Sequence, residues 1–273
     1  MLGSMIFDVF RRSDQVVVYT NSRQIGKSDY IFNLEIGKLD EIVREIRPHY
    51  IINCIGEIPQ KMGRDYSVYT TMLKTNSQFP RNLSKFSSER NIKLIQPCTN
   101  GVYSGVNGPF HENSRKRPKT FYGFTKLLGE QITKTQLNLR CSIVGPELRT
   151  PGKSLYSWLL SQPENSEIQG FTNHTWNGVT TKVFANICLS LIEKGNFFAG
   201  NIHIVPRDSI SKYELLNLIK EKGGRADLQI NPVAHTNPVD LRLATRLPKR
   251  LGQIWQGIGY SSSPTIREIL FDL

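Results

Sequence analysis

Residues 91–105 read NIKLIQPCTNGVYSG. The first eight, Asn91 to Cys98, have the composition of a short strand, and Thr99-Asn100-Gly101 behind them is a turn signal. Working outward, the same unit recurs. Upstream lie YIINCIG (Tyr50 to Gly56) and VVVYT (Val16 to Thr20), the latter apolar enough to be a strand buried on both faces. Downstream lie LNLRCSIVG (Leu137 to Gly145) and NIHIV (Asn201 to Val205). Helical patterns separate them: the end of a helix over 3–12, a helix over 36–46 stopped by Pro48, a long one over 66–90, and one over 122–135. Strands alternating with helices predict an α/β fold, a Rossmann-like doubly wound parallel sheet covered by helices. Such a sheet places its chemistry at the carboxyl ends of its strands, where Thr99 falls.

From about residue 148 the rhythm changes. LYSWLL, the NHTWNGVTT stretch, helices near 180–193 and 211–222 and a proline-bearing tail predict a smaller lobe. The expected division is a nucleotide-binding domain over 1–147, with the later strand at 201–205, and an interwoven substrate lobe over 148–273. With 273 residues the chain can bury a full core. No window approaches eighteen consecutive apolar residues, so no membrane span and no membrane partner is expected. The opening MLGSMIFDVFRRSDQ lacks the order of a secretory signal. Cys54, Cys98, Cys141 and Cys188 stand in or beside apolar runs without CxxC spacing, as buried thiols of the cytoplasm do. The net charge of +12 fits an anionic, diphosphate-bearing substrate. Its basic residues are scattered, the densest cluster being Arg115-Lys116-Arg117, and no nucleic-acid partner is expected.

The sharpest chemical feature is Tyr122-Gly-Phe-Thr-Lys126. Residues four apart share a helix face, and an ammonium beside a phenol favours the phenolate. Tyr122 could then pass a proton to a carbonyl near neutral pH, and Lys126 could also bond a ribose hydroxyl. Thr99 could donate a hydrogen bond to the same oxygen as charge builds there, or be only a turn residue before Asn100-Gly101. The five histidines show no metal spacing, and no metal is expected.

These stretches resemble the dTDP-4-dehydrorhamnose reductase-like group of extended short-chain dehydrogenase/reductases. The resemblance runs through Cys98–Gly105, FYGFTKLLGE (Phe121 to Glu130), LRCSIVGPELR (Leu139 to Arg149), INCIG (Ile52 to Gly56), KTNSQFPRNL (Lys74 to Leu83) and WNGVTT (Trp176 to Thr181). It is weakest from about 223 onward. It implies an enzyme that reduces the 4-keto group of a nucleotide-linked deoxysugar with NADPH or NADH in polysaccharide precursor biosynthesis, commonly as a homodimer. It assigns catalysis to Thr99, Tyr122 and Lys126. It assigns the cofactor groove to Gly3, Asn21, Arg23, Asn53, Cys54, Gly56 and Asn76, together with Tyr122 and Lys126. Asn100, Arg149, His174, Trp176 and Asn177 are its substrate candidates. For Arg149 a surface loop cation, and for Trp176 core packing, are the alternatives. Arg140 reads as a ligand or a buried ion-pair partner. No acid follows the strand ending at Thr20, whereas Arg23 could accept a 2′-phosphate, so NADPH is slightly preferred over NADH; Arg23 as a solvated loop residue is the other reading.

A nucleotide-binding sheet of this kind begins with a strand and a glycine-rich turn. MLGSMIFDVFRRSDQVVVY matches the second half of such a unit, so the first strand and first glycines are expected to be missing, with Gly3 left to serve helix–strand packing. A misplaced start, a shortened enzyme and a non-catalytic sugar-nucleotide-binding or partner protein of the same fold are three explanations. An epimerase is a same-fold rival. A dehydratase is disfavoured, because Asn100-Gly101 rather than acids follow Thr99.

Overall fold

A computed structural model describes residues 1–22, 28–58, 67–147, 152 and 154–273. The chain opens with helix α1 (Leu2–Phe10), whose Ile6 and Phe10 are buried. Two short strands follow, β1 (Asn21–Ser22) and β2 (Tyr30–Ile31), then α2 (Ile36–Ile46) and β3 (Tyr50–Ile52). Helix α3 (Ser67–Leu73) runs through a π-helical turn at Lys74–Gln78 into α4 (Phe79–Glu89), and β4 (Lys93–Thr99) follows. Then come α5 (Phe121–Gly129), β5 (Gln136–Cys141), β6 (Ile143–Val144) and α6 (Leu155–Leu160). The smaller lobe and its return to the sheet use β7 (Glu167–Phe171), β8 (His174–Trp176), β9 (Val179–Thr180), α7 (Thr181–Glu193) and β10 (Gly200–His203). The rest is β11 (Ile210–Ser211), α8 (Lys212–Lys222), β12 (Gln229–Val233), β13 (Val239–Asp240), α9 (Pro248–Gly257) and α10 (Ile266–Phe271).

The main sheet runs β10-β5-β4-β3, and its ladders are parallel. Neighbouring residues of β4 serve opposite faces, as period-two alternation demands. Leu94 packs with Phe32, Leu39, Phe79 and Phe86 on one side, while Ile95 joins Leu137, Leu139, Val183 and Trp255 on the other. The second face of β5 is polar and buried, carrying Gln136, Asn138 and Arg140. A smaller core of Leu159, Ile168, Leu216, Ile219 and Leu270 builds the C-terminal lobe, where β12 pairs β7 and β8 lies between β11 and β13. Side-chain caps set where its helices begin: Ser211 and Thr265 form reciprocal boxes with Glu214 and Glu268. Among the described residues no helix is long and apolar enough to cross a membrane.

Two elements differ from the sequence reading. Val16–Thr20 forms no ladder, and strand pairing starts only at Asn21. Val16 and Val18 rest on the core beside Ile52 and Cys54, but Val17 is 81% exposed. Among the described residues β3 pairs with β4 alone, and the segment's strand contact is limited to the Thr20 carbonyl, which accepts from the Tyr30 N–H of β2 at 3.1 Å. Second, the helix expected over 122–135 stops at Gly129. Glu130 turns to extended backbone, and its carboxylate meets Arg140 and Lys116.

Candidate active site

Thr99 ends β4, and the tight turn Asn100–Val102 follows it directly. The Thr99 hydroxyl accepts from the Gly101 N–H at 3.1 Å, which leaves its own proton free to point elsewhere. Helix α5 starts at the same place because Thr120 caps it, accepting from the Gly123 N–H at 3.1 Å. Gly101 is the meeting point. A Cβ built there would lie 3.4 Å from Thr99 Oγ1 and 3.7 Å from Tyr122 Cε1. The first turn of α5 sits on this loop so closely that a Cβ at Gly123 would fall 2.1 Å from the Gly101 carbonyl oxygen. Thr99, Tyr122 and, one helical turn on, Lys126 are thus brought together at the carboxyl end of the sheet. Tyr122 and Lys126 are half-buried, and neither Tyr122 Oη nor Lys126 Nζ has a hydrogen-bond partner among the described residues.

Charge converges beneath Thr99. Arg140, opposite Cys98 in the ladder, donates from Nη1 to the Thr99 carbonyl at 2.7 Å. The same nitrogen lies 2.6 Å from Glu130 Oε1, and Lys116 pairs with the other carboxylate oxygen. Arg140 is therefore the buried ion-pair partner, one of the two readings its sequence position allowed. Burial works to push the Glu130 carboxyl up, but Arg140 and Lys116 outweigh it and hold it below the usual range. Burial pushes the Cys98 thiol up to about 11; Glu130 adds to the rise, while Arg140, Lys126 and Lys116 oppose it.

Of the residues assigned to a cofactor groove, Asn53, Cys54 and Gly56 follow the end of β3. Gly3 lets α1 approach: a Cβ there would meet Cys54 Cβ at 3.2 Å, the close helix–strand packing expected of it. Asn53 is buried, donates to Gln96 Oε1 at 2.9 Å and accepts from the Ile55 N–H, shaping the loop. Asn76, in the π-helical turn, brackets Glu57, accepting from its N–H and donating to its carbonyl, both at 2.9 Å. It also donates to Thr125 Oγ1 at 3.2 Å, linking this loop to α5. Gly56 and Asn21 are exposed. Arg23 lies outside the described residues. A dinucleotide fits this set. The first turn of α1 has no side-chain cap on its amides, Gly56 is exposed, and the tyrosine and lysine polar atoms are uncommitted among the described residues.

The substrate candidates are engaged within the protein. Asn100 donates to the Leu241 carbonyl at 3.1 Å. Asn177 donates to the Leu243 carbonyl at 2.7 Å and accepts from its N–H at 2.9 Å. Trp176 donates from Nε1 to Ser142 Oγ at 2.8 Å and packs against the smaller core. His174 contacts Phe171 and His235 and bonds the Asn237 carbonyl; burial holds its imidazole below the usual range, with His235 and Lys212 acting the same way. Arg149 lies outside the described residues. The sequence reading overlooked Gly123, Gly129 and Glu130. A Cβ at Gly129 would lie 2.0 Å from the Asn76 carbonyl oxygen, so both glycines of α5 are contact points. Glycine inside a helix is costly, and two in FYGFTKLLGE were the available signal.

Known proteins share this fold. Residues 1–246 match the family model of the RmlD substrate binding domain. A dTDP-4-dehydrorhamnose reductase from Clostridium acetobutylicum superposes with a TM-score of 0.75 at 18% identity, covering 99% of this chain and 94% of that one. One from Bacillus anthracis, solved in complex with NADP, gives 0.69 at 19% identity, covering 89% and 88%. Among curated sequences, the methionine adenosyltransferase 2 subunit beta of Xenopus tropicalis is 23% identical over 249 residues, 88% of this chain and 72% of that protein.

Proposed function

The chain belongs to the RmlD substrate binding domain family, and from that premise we propose that it is an NAD(P)H-dependent reductase of the 4-keto group of a nucleotide-linked deoxysugar. The observation that carries the reading is the gathering of Thr99 and Tyr122 around Gly101, with Tyr122 Oη and Lys126 Nζ uncommitted among the described residues. The dinucleotide, when bound, supplies a hydride to the carbonyl carbon. Thr99 donates its free hydroxyl proton in a hydrogen bond to the carbonyl oxygen as charge develops there. Tyr122 transfers its phenolic proton to that oxygen as the C=O π bond opens, which gives the alcohol, and solvent later restores the phenol. Lys126, on the same helix face one turn on, bonds the ribose. In this reading residues 1–147 with 201–205 hold the dinucleotide, NADPH in preference to NADH, residues 148–273 hold the sugar nucleotide, and the enzyme works in the cytoplasm as a homodimer.

A second reading is a partner subunit that binds dinucleotide or sugar nucleotide without turning it over. Its support is the curated relative, named as the beta subunit of another enzyme. Titration with NADPH and NADH, followed by nicotinamide fluorescence, and turnover of 4-keto nucleotide sugars by the parent and by Tyr122→Phe separate the two. Turnover that Tyr122→Phe abolishes supports the reductase. Cofactor binding with no turnover supports the partner subunit and overturns the reductase.

A further inference from the structure

Thr99 and Tyr122 come from different elements, so their separation depends on the contacts that join the strand end to the helix. We infer that Arg140 is a positioning residue that locks the strand end bearing Thr99 to the helix bearing Tyr122 and Lys126, an inference that rests on the reductase reading. Its side chain is only 3% exposed. From β5 it reaches the Thr99 carbonyl at 2.7 Å and Glu130 at 2.6 Å, and Glu130 directly follows the last residue of α5. Its guanidinium carbon also lies 5.5 Å from the centre of the Tyr103 ring, at the end of the turn that follows Thr99. Lys116, on the segment leading into α5, takes the second oxygen of Glu130.

Both ends of α5 are therefore held. Its amino end is set by backbone contact, Gly123 on the Gly101 carbonyl. Its carboxyl end is held by charge as well, Glu130 on Arg140, beside the close approach of Gly129 to the Asn76 carbonyl. Tyr122 and Lys126 lie between these fixings, and both fixings refer back to the Thr99 loop. One guanidinium nitrogen, Nη1, meets both the Thr99 carbonyl and Glu130; the planar group fixes the direction of that nitrogen, whereas a lysine ammonium sits on a shorter, freely rotating stem. Burial of an ion pair is a poor source of stability, since apolar residues of similar volume often replace one without loss. A pair retained here for geometry accounts for its place between the two halves of the site.

The test compares Arg140→Met, Arg140→Lys and the double variant Arg140→Met/Glu130→Met with the parent. Thermal midpoint, hydrogen exchange over residues 99–103 and 121–129, and steady-state turnover are measured on each. Arg140→Met strands the Glu130 carboxylate and lowers the midpoint. The double variant is expected to regain the parental midpoint while exchange in both segments rises about tenfold or more. Its kcat is expected to fall about a hundredfold, with KM within about threefold, as misplacement on the ångström scale does. Parental exchange and parental kcat in a double variant of parental midpoint overturn the inference. If the double variant does not fold, Arg140→Lys decides: it keeps the charge and loses the planar, longer guanidinium, and faster exchange in the two segments supports the lock while parental exchange overturns it. Absence of turnover in the parent itself defeats the reductase reading instead, and the exchange measurements still show whether Arg140 holds the two elements together.

Discussion

Asn177 holds Leu243 by both of its backbone polar groups, donating to the carbonyl at 2.7 Å and accepting from the N–H at 2.9 Å. The carboxamide imitates a strand neighbour, and it is buried. The substitution Asn177→Asp removes the donor and buries a carboxylate against a carbonyl. It is expected to cost about 2–4 kcal/mol, by the penalty for unsatisfied buried polar groups. Urea unfolding of parent and variant measures it; a cost under half a kcal/mol would show that the segment around Leu243 is held by other contacts.

Gly123 and Gly252 make opposite expectations from the same substitution. Alanine at Gly123 would put its Cβ 2.1 Å from the Gly101 carbonyl oxygen, so α5 must shift away from Thr99. Overpacking of this kind costs about 1–3 kcal/mol, and turnover should suffer beyond the loss of folded protein. Alanine at Gly252, within α9, meets nothing within 4 Å and should stabilise by about 0.5–1 kcal/mol. Thermal unfolding of the two variants side by side checks both signs.

Lys126→Met is expected to leave the thermal midpoint within about a degree, because the ammonium bonds no described residue. Under the reductase reading the same variant should weaken NADPH binding about tenfold, the equivalent of one charge-assisted hydrogen bond of about 1.4 kcal/mol. Fluorescence titration of the nicotinamide reads this directly. Unchanged affinity would remove Lys126 from the cofactor groove.

Stability should depend on pH through His203. Its ring is fully buried, with Nδ1 between the Phe110 and Ala244 carbonyls at 3.1 and 2.8 Å and Nε2 3.1 Å from the Tyr103 hydroxyl. Burial lowers its pKa to about 4, although Glu112 and the two carbonyls pull the other way. The unfolded chain titrates near 6.5, so between these values it binds the proton that the folded chain refuses. Stability is therefore fully present above about pH 6.5 and declines as pH falls toward 4, by about 3 kcal/mol in all. His203→Gln should flatten this part of the curve of thermal midpoint against pH; an equally steep curve in the variant would place the titration elsewhere.

How much of this was legible in the sequence follows the range of the interactions. Short apolar runs closed by turn residues gave β3, β4 and β5, because their composition and their boundaries are local. Tyr122 and Lys126 were legible because four residues on one helix need no distant information. The strand expected at Val16–Thr20 was not formed, since a strand also requires a neighbour that composition does not reveal. The partners of Asn177 and Asn100 lie 66 and 141 residues further along the chain. Side chains that tether the late segment read in isolation like sugar ligands. The role of Glu130 was hidden for the same reason: its value depends on Arg140, a residue of the next strand.

The bond from Asn100 to Leu241 also has a meaning in time. The loop at the mouth of β4 is synthesised long before the segment that completes its outer wall, and the intervening 141 residues take on the order of ten seconds to emerge from a ribosome. During that interval Asn100 stands without its partner, and Asn177 joins it in waiting over the last 66 residues before Leu243 emerges. The Thr99 turn therefore gains its Leu241 contact only near the end of translation, and a chain stopped before residue 241 would lack that contact together with the core side chains of Leu243, Leu251 and Trp255.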